Sequence, residues 1–186
     1  MIFDFDCTIT NFHLSSNSNL EDVSSRPLEE FIEASLFKSF VQYLQKRGIK
    51  VGVASYGKKE LILTLLNRVL EDSTFNQDNV VTPRDIALVK SVRWTDGCNP
   101  SKRLSLNKND MLRLLAERLE VEEDQVCLLD DTEEHIQNAR SSNYQAVLVP
   151  KCEKFTESLR ALLKEFLSPV KIEAFIESLK SAQFDS

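Results

Sequence analysis

Short apolar runs rich in β-branched residues recur along the chain, separated by longer stretches in which apolar positions return every three or four residues. The short runs read as strands and the long stretches as amphipathic helices. This pattern predicts strands near Ile2–Asp6, Lys50–Ala54, Asn79–Thr82, Gln125–Leu129 and Ala146–Val149. Strands that alternate with helices pair in parallel, because a helix carries the chain back to the starting edge of the sheet. The expected fold class is therefore α/β: a Rossmann-like, open, mostly parallel sheet flanked by helices.

The helical stretches are specific enough to place their faces. One over Leu36–Arg47 puts Leu36, Phe37, Phe40, Val41 and Leu44 on a single side, with Gly48 as a left-handed cap. Others follow at Lys58–Leu70 and Lys108–Leu119, the latter with Met111, Leu112, Leu115 and Leu119 on one side. Asn107 is placed to cap that helix, with Asp110 at its third position. Beyond the last strand, Glu153–Phe166 and Pro169–Ala182 read as two helices divided by a Ser168-Pro169 start signal. Phe155, Leu159, Leu162 and Phe166 mark one apolar face, and Ile172, Phe175, Ile176 and Leu179 the other. Such faces either cover the sheet or meet a partner. Ser15–Ser25 reads as a loop, and the chain divides into a core over 1–150 and a helical extension over 151–186 that packs on it.

Composition narrows the class. The chain has 186 residues, 42% hydrophobic and 28% charged, enough for one core without metal or disulfide staples. No apolar run is long enough for a membrane span. A net charge of -6 disfavours binding to nucleic acid or anionic lipid. Basic residues concentrate between Thr82 and Lys108, where Arg84, Lys90, Arg93, Lys102, Arg103 and Lys108 face only Asp85 and Asp96. The opening MIFDFD has no secretory character, so the expected location is the cytoplasm, export without a cleavable signal remaining open. Cys7, Cys98, Cys127 and Cys152 form no C-x-x-C pair, and His13 and His135 lack zinc-site spacing. All four cysteines are therefore expected to be ordinary thiols.

Two acidic pairs fall at predicted strand ends. Asp4-Phe5-Asp6-Cys7-Thr8 closes the first strand and Asp130-Asp131 the fourth. Ligands of parallel sheets bind beyond the carboxyl ends of strands, and residues two apart on a strand share a face. Asp4 and Asp6 can thus converge with Asp130 and Asp131. Carboxylates this close repel one another unless a cation intervenes, and an oxygen-only donor set suits Mg²⁺. A simpler role stays open for Asp131 and Thr132, which could cap the following helix. Ser55 ends the second strand. Lys108 lies in the first turn of a helix, where a cation opposes the macrodipole, and local violations of this kind often mark function.

The ordered set Asp4-x-Asp6-x-Thr8, Ser55, Lys108 and Asp130-Asp131 resembles the four motifs of the haloacid dehalogenase superfamily, over about residues 1–150. The resemblance implies a phosphatase in which Asp4 is the nucleophile, Asp6 the general acid and base, and Thr8 the residue that steadies Asp6. It implies that Ser55 holds a phosphoryl oxygen, that Lys108 neutralises charge, and that Mg²⁺ is held by Asp4, the Asp6 carbonyl, Asp130 and Asp131.

Neither the interval from Asn11 to Ser35 nor that from Pro83 to Asn107 is long enough for a full cap domain; the second has room for a loop or hairpin. The chain is similar in this, and in its spacing from Lys108 to Asp130, to the capless magnesium-dependent phosphatase subgroup. That implies an open site and a phosphorylated substrate on a bulky carrier such as protein phosphotyrosine. Tyr56, Gly57 and Arg93 are the expected substrate-binding residues beside Ser55 and Lys108, with Phe12 and His13 opposite and Trp94 in a basic rim that is otherwise a solvated loop. The chain departs from the subgroup in the long loop Ser15–Arg26 and the helices after Cys152. Competing readings are a phosphosugar phosphatase and a non-catalytic module that binds phosphate or a partner.

Overall fold

The computed structural model describes residues 1–11, 13, 20–25, 27–93 and 107–181. Among these residues five strands form one sheet in the order β3-β2-β1-β4-β5. They are β1 (Ile2–Phe3), β2 (Gly52–Ala54), β3 (Val80–Val81), β4 (Cys127–Asp130) and β5 (Gln145–Leu148), and every neighbouring pair is parallel. The chain is thus an α/β protein with a Rossmann-like open sheet. The helices are α1 (Leu20–Ser25), α2 (Ala34–Lys46), α3 (Lys59–Leu70), α4 (Pro83–Arg93), α5 (Lys108–Leu119), α6 (Glu133–Ser141), α7 (Phe155–Lys164) and α8 (Pro169–Ser181).

Alternation along each strand assigns its residues to two separate cores. Phe3, Val53, Leu129 and Val147 point into one, with the apolar faces of α2, α3, α7 and α8. Ile2, Ala54, Leu128 and Ala146 point into the other, beneath α5 and α6. In the first core Phe37 meets Phe155 edge-on at 5.0 Å and Phe3 at 5.7 Å, which joins α2, α7 and the central strand. α8 adds Ile172, Ile176 and Leu179 to the same core, and Phe175 packs edge-on against Tyr43 at 4.8 Å.

Several local signals are realised as expected. Asn107 and Asp110 form a reciprocal capping box at the start of α5. Gly48 follows α2 with φ 71°, the left-handed conformation that glycine adopts without a Cβ penalty.

Four expectations are corrected. β1 ends at Phe3, so Asp6 lies in the turn after the strand rather than on it. The expected loop or hairpin after Pro83 begins as helix α4, because Thr82 and Asp85 satisfy its first turn; residues 94–106, with Trp94, lie outside the described residues. The expected loop at Ser15–Ser25 contains the short helix α1, whose six residues are too few to show a period. Phe166 is 68% exposed rather than buried with Phe155, because α7 ends at Lys164 and the chain turns toward α8. Among the described residues no helix is long and apolar enough to cross a membrane.

Candidate active site

The register of the three central strands brings the acidic residues together. Ile2 pairs with Gly52 on one side and Leu128 on the other. One pleat further along, Asp4 stands level with Ala54 and Asp130, on the same face as Ile2 and Leu128. That face is covered by α5, whose first residue is Lys108. Its ammonium donates to Asp4 Oδ1 at 2.7 Å and to the Ala54 carbonyl at 2.8 Å, and lies 3.0 Å from Asp130 Oδ2. One cation therefore ties together the ends of β2, β1 and β4. The Lys108 side chain is 1% exposed and that of Asp130 fully enclosed.

The electrostatics follow from this enclosure. Burial works against the Lys108 ammonium, but Asp4 and Asp130 outweigh it and hold its pKa above the ordinary value. Asp4 is pushed up to about 6, chiefly by burial and further by Asp130, although Lys108 opposes the shift. Asp130 goes the other way. Burial would raise its pKa, but His135, Lys108 and the Thr132 amide bring it below the ordinary carboxylate range. The His135 Nδ1 lies 3.0 and 3.1 Å from the two Asp130 oxygens, and Thr132 N donates to Oδ1 at 2.9 Å.

Asp131 completes the acidic group. Carboxylate oxygens of Asp4, Asp130 and Asp131 all lie within 4.8 Å of one another, a spacing that could hold a metal ion. The Asp131 side chain is 3% exposed, and its Oδ2 has no hydrogen-bond partner. The Lys151 ammonium approaches it only to 4.0 Å. Neither Asp131 nor Thr132 caps α6 through its side chain, so the capping role left open for them is not taken. A buried carboxylate oxygen without a donor is costly unless a cation takes the vacant lone pair.

The loop after β2 forms the opposite wall. Ser55 is buried and its Oγ accepts from the Gly57 amide at 3.0 Å. A Cβ at Gly57 would press to 3.3 Å against Ser55 Oγ and Ile62 Cδ1 and make ordinary contact with Asp6 Oδ2 at 3.6 Å, so the loop lies against the Asp6 turn. The half-exposed Tyr56 ring lies 5.3 Å from the Lys108 ammonium and 5.6 Å from the His135 ring. Outside this wall an open groove of about 520 Å³ runs past Tyr56, Gly57, Thr82, Arg84 and Leu88. Arg93 is the last residue of α4; its side chain and Phe12 lie outside the description.

Other expectations are met differently. The Thr8 hydroxyl is buried with no hydrogen-bond partner, so no hydroxyl bond runs from it to Asp6; the Thr8 carbonyl accepts from Ser158 Oγ at 3.1 Å. The turn is tied instead by Thr10, whose Oγ1 accepts from Cys7 N at 3.3 Å and donates to the Phe5 carbonyl at 3.2 Å. Cys7 and Cys152 are not free thiols but a disulfide across 145 residues of sequence. No spacing rule reveals that pairing, since it depends on the segment after β5 folding back toward β1. Cys127 is a buried thiol whose pKa burial raises, and Cys98 lies outside the described residues. His13 is exposed beside the disulfide rather than at the groove. Sequence reasoning missed His135, although a residue one turn into the helix after an acidic strand end can reach back to it. No protein-family model matches the chain, and no curated protein matches it.

Proposed function

We propose that the chain is a Mg²⁺-dependent phosphomonoester hydrolase that works through an aspartyl phosphate on Asp4. The observation that carries this reading is the pair of unlike environments at one sheet edge: Asp4 held at 2.7 Å by a buried lysine, and Asp131 with a buried oxygen that receives no hydrogen bond beside it. Lys108 alone does not balance Asp4, Asp130 and Asp131, so the donor set fits a hard divalent cation held by these three and the Asp6 carbonyl. Such an ion, when bound, screens the anionic nucleophile from an anionic substrate.

The residues then divide the work. An Asp4 oxygen attacks phosphorus and forms the P–O bond, while the ester oxygen departs with a proton from Asp6. Asp6 next takes a proton from water, whose oxygen displaces Asp4 and yields inorganic phosphate. Lys108 stabilises charge on Asp4 and the transferred group, and Ser55 offers a hydroxyl to a phosphoryl oxygen. Thr8 is left with a structural part in the turn. His135 orients Asp130. The open groove past Tyr56 and Arg84 supports a substrate on a bulky carrier, such as a phosphotyrosyl protein, over an enclosed phosphosugar.

Hydrolysis of p-nitrophenyl phosphate measured against Mg²⁺ concentration tests this directly. Turnover should require the metal, fall to background in Asp4→Asn, and drop by about a hundredfold or more in Asp6→Asn. An active Asp4→Asn enzyme would overturn the nucleophile. Absence of turnover with every divalent metal would favour a phosphate-binding or partner-binding module. A panel of phosphotyrosyl peptides and phosphosugars then separates the two substrate classes.

A further inference from the structure

The disulfide joins the turn that carries Asp6 to the segment after β5. Cys7 sits between Asp6 and Thr8 and is fully buried, whereas Cys152 is exposed. Both have left-handed backbones, with φ 58° at Cys7 and 54° at Cys152, a conformation disfavoured for residues with a side chain. Cys152 N also donates to the Cys7 carbonyl at 3.3 Å. The Asp6 turn is thus kept in a disfavoured shape by ties of which the covalent one is the strongest. Donor atoms of Cys7, Cys152 and His13 lie within 4.8 Å of one another.

We propose that Cys7 and Cys152 form a thiol–disulfide switch that sets the order of the Asp6–Thr8 turn, with a dithiol as its reductant. A thiolate attacks the sulfur of Cys152, the exposed residue of the pair, and the S–S bond breaks. Cys7 leaves as a thiolate and takes up a proton from solvent. The second thiol of the reductant then displaces Cys152, so that two electrons and two protons pass to the protein and the dithiol becomes a disulfide. With the tie gone, the Cys7 backbone relaxes toward the right-handed or extended regions and carries Asp6 with it. The oxidised form is the one with the turn set. Control of catalysis rests on the reading of Asp4 and Asp6 given above; the covalent switch and its effect on the turn do not.

The test compares the full chain, oxidised and after dithiothreitol, and the Cys152→Ser variant. Peptide mapping after alkylation should find Cys7 linked to Cys152 in the oxidised chain and both alkylated in the reduced one. Amide hydrogen exchange over residues 5–10 should become about tenfold faster on reduction. Turnover of p-nitrophenyl phosphate should fall by about tenfold, reversibly, and Cys152→Ser should match the reduced wild type and ignore the reductant. Free Cys7 and Cys152 under oxidant, or a bond whose reduction alters neither exchange nor turnover, would overturn the switch. So would one zinc ion per reduced chain with alkylation-resistant thiols, which would assign the trio to a metal. Faster exchange on reduction with no turnover in either state would leave the switch standing and remove the phosphatase reading.

Discussion

Lys108 shows how a residue out of place locally is explained by what it meets across the fold. At the first position of α5 its charge opposes the macrodipole, and that conflict was legible in the chain itself. What resolves it is the pair of carboxylates at 2.7 and 3.0 Å, contributed by strands 104 residues before it and just after α5. Replacement by methionine should leave two buried carboxylates facing each other and lower stability by about 3 kcal/mol, read from urea unfolding in a metal chelator. Added Mg²⁺ should recover part of that loss, measured as a rise in unfolding midpoint larger than in the wild type. Equal midpoints for Lys108→Met and wild type in chelator would mean that the lysine does not hold the carboxylates. Thr8 teaches the converse: its position in the motif was legible, but that its hydroxyl is buried without a hydrogen bond was not, because side-chain direction in a turn depends on what grips the backbone.

Among the elements, α4 depends on a single carboxylate at its start. Asp85 accepts from the amide and hydroxyl of Thr82 at 2.9 Å, pairs with Lys59 at 2.8 Å and lies 3.8 Å from Arg118. It joins α3, α4 and α5 next to the open groove. Burial would raise its pKa, but Lys59 and Thr82 outweigh that and hold it below the ordinary range. The ionised form therefore favours the folded state. Its contribution is complete above the unfolded pKa of about 4 and is lost as pH falls through the lowered folded value. Asp85→Asn should cost about 1 kcal/mol at neutral pH in denaturant unfolding, and the gap from wild type should narrow as pH falls below the unfolded value of about 4 and close once the folded carboxyl is protonated. A gap that persists in acid would assign the effect to packing rather than charge. The sequence pattern missed α4 because only Ile86 among its described side chains is buried, which leaves little apolar period to read.

At the scale of the molecule, α7 and α8 are continuous with the core that carries Phe3. Phe155, Leu159 and Ile176 are buried in that core, the Ser158 hydroxyl reaches the Thr8 carbonyl, and Glu33 accepts from the Thr156 amide at 2.6 Å. Ile176→Ala should cost about 3 kcal/mol, and urea unfolding followed by fluorescence and circular dichroism should remain one coincident transition. Separate transitions would show that α8 unfolds independently of the sheet. The period-2 and period-3.6 patterns of this chain determined its strands, most helices and the α/β class, because burial of one face is a local constraint on spacing. They also put Asp4 and Asp130 at the ends of neighbouring strands. Only the tertiary structure decided that Asp4, Asp130 and Lys108 meet in one row, that Asp6 lies off the strand, and that Cys7 bonds to Cys152. Those relations depend on register between strands and on loops closing across long separations, and such contacts leave no periodic trace in the residues that make them.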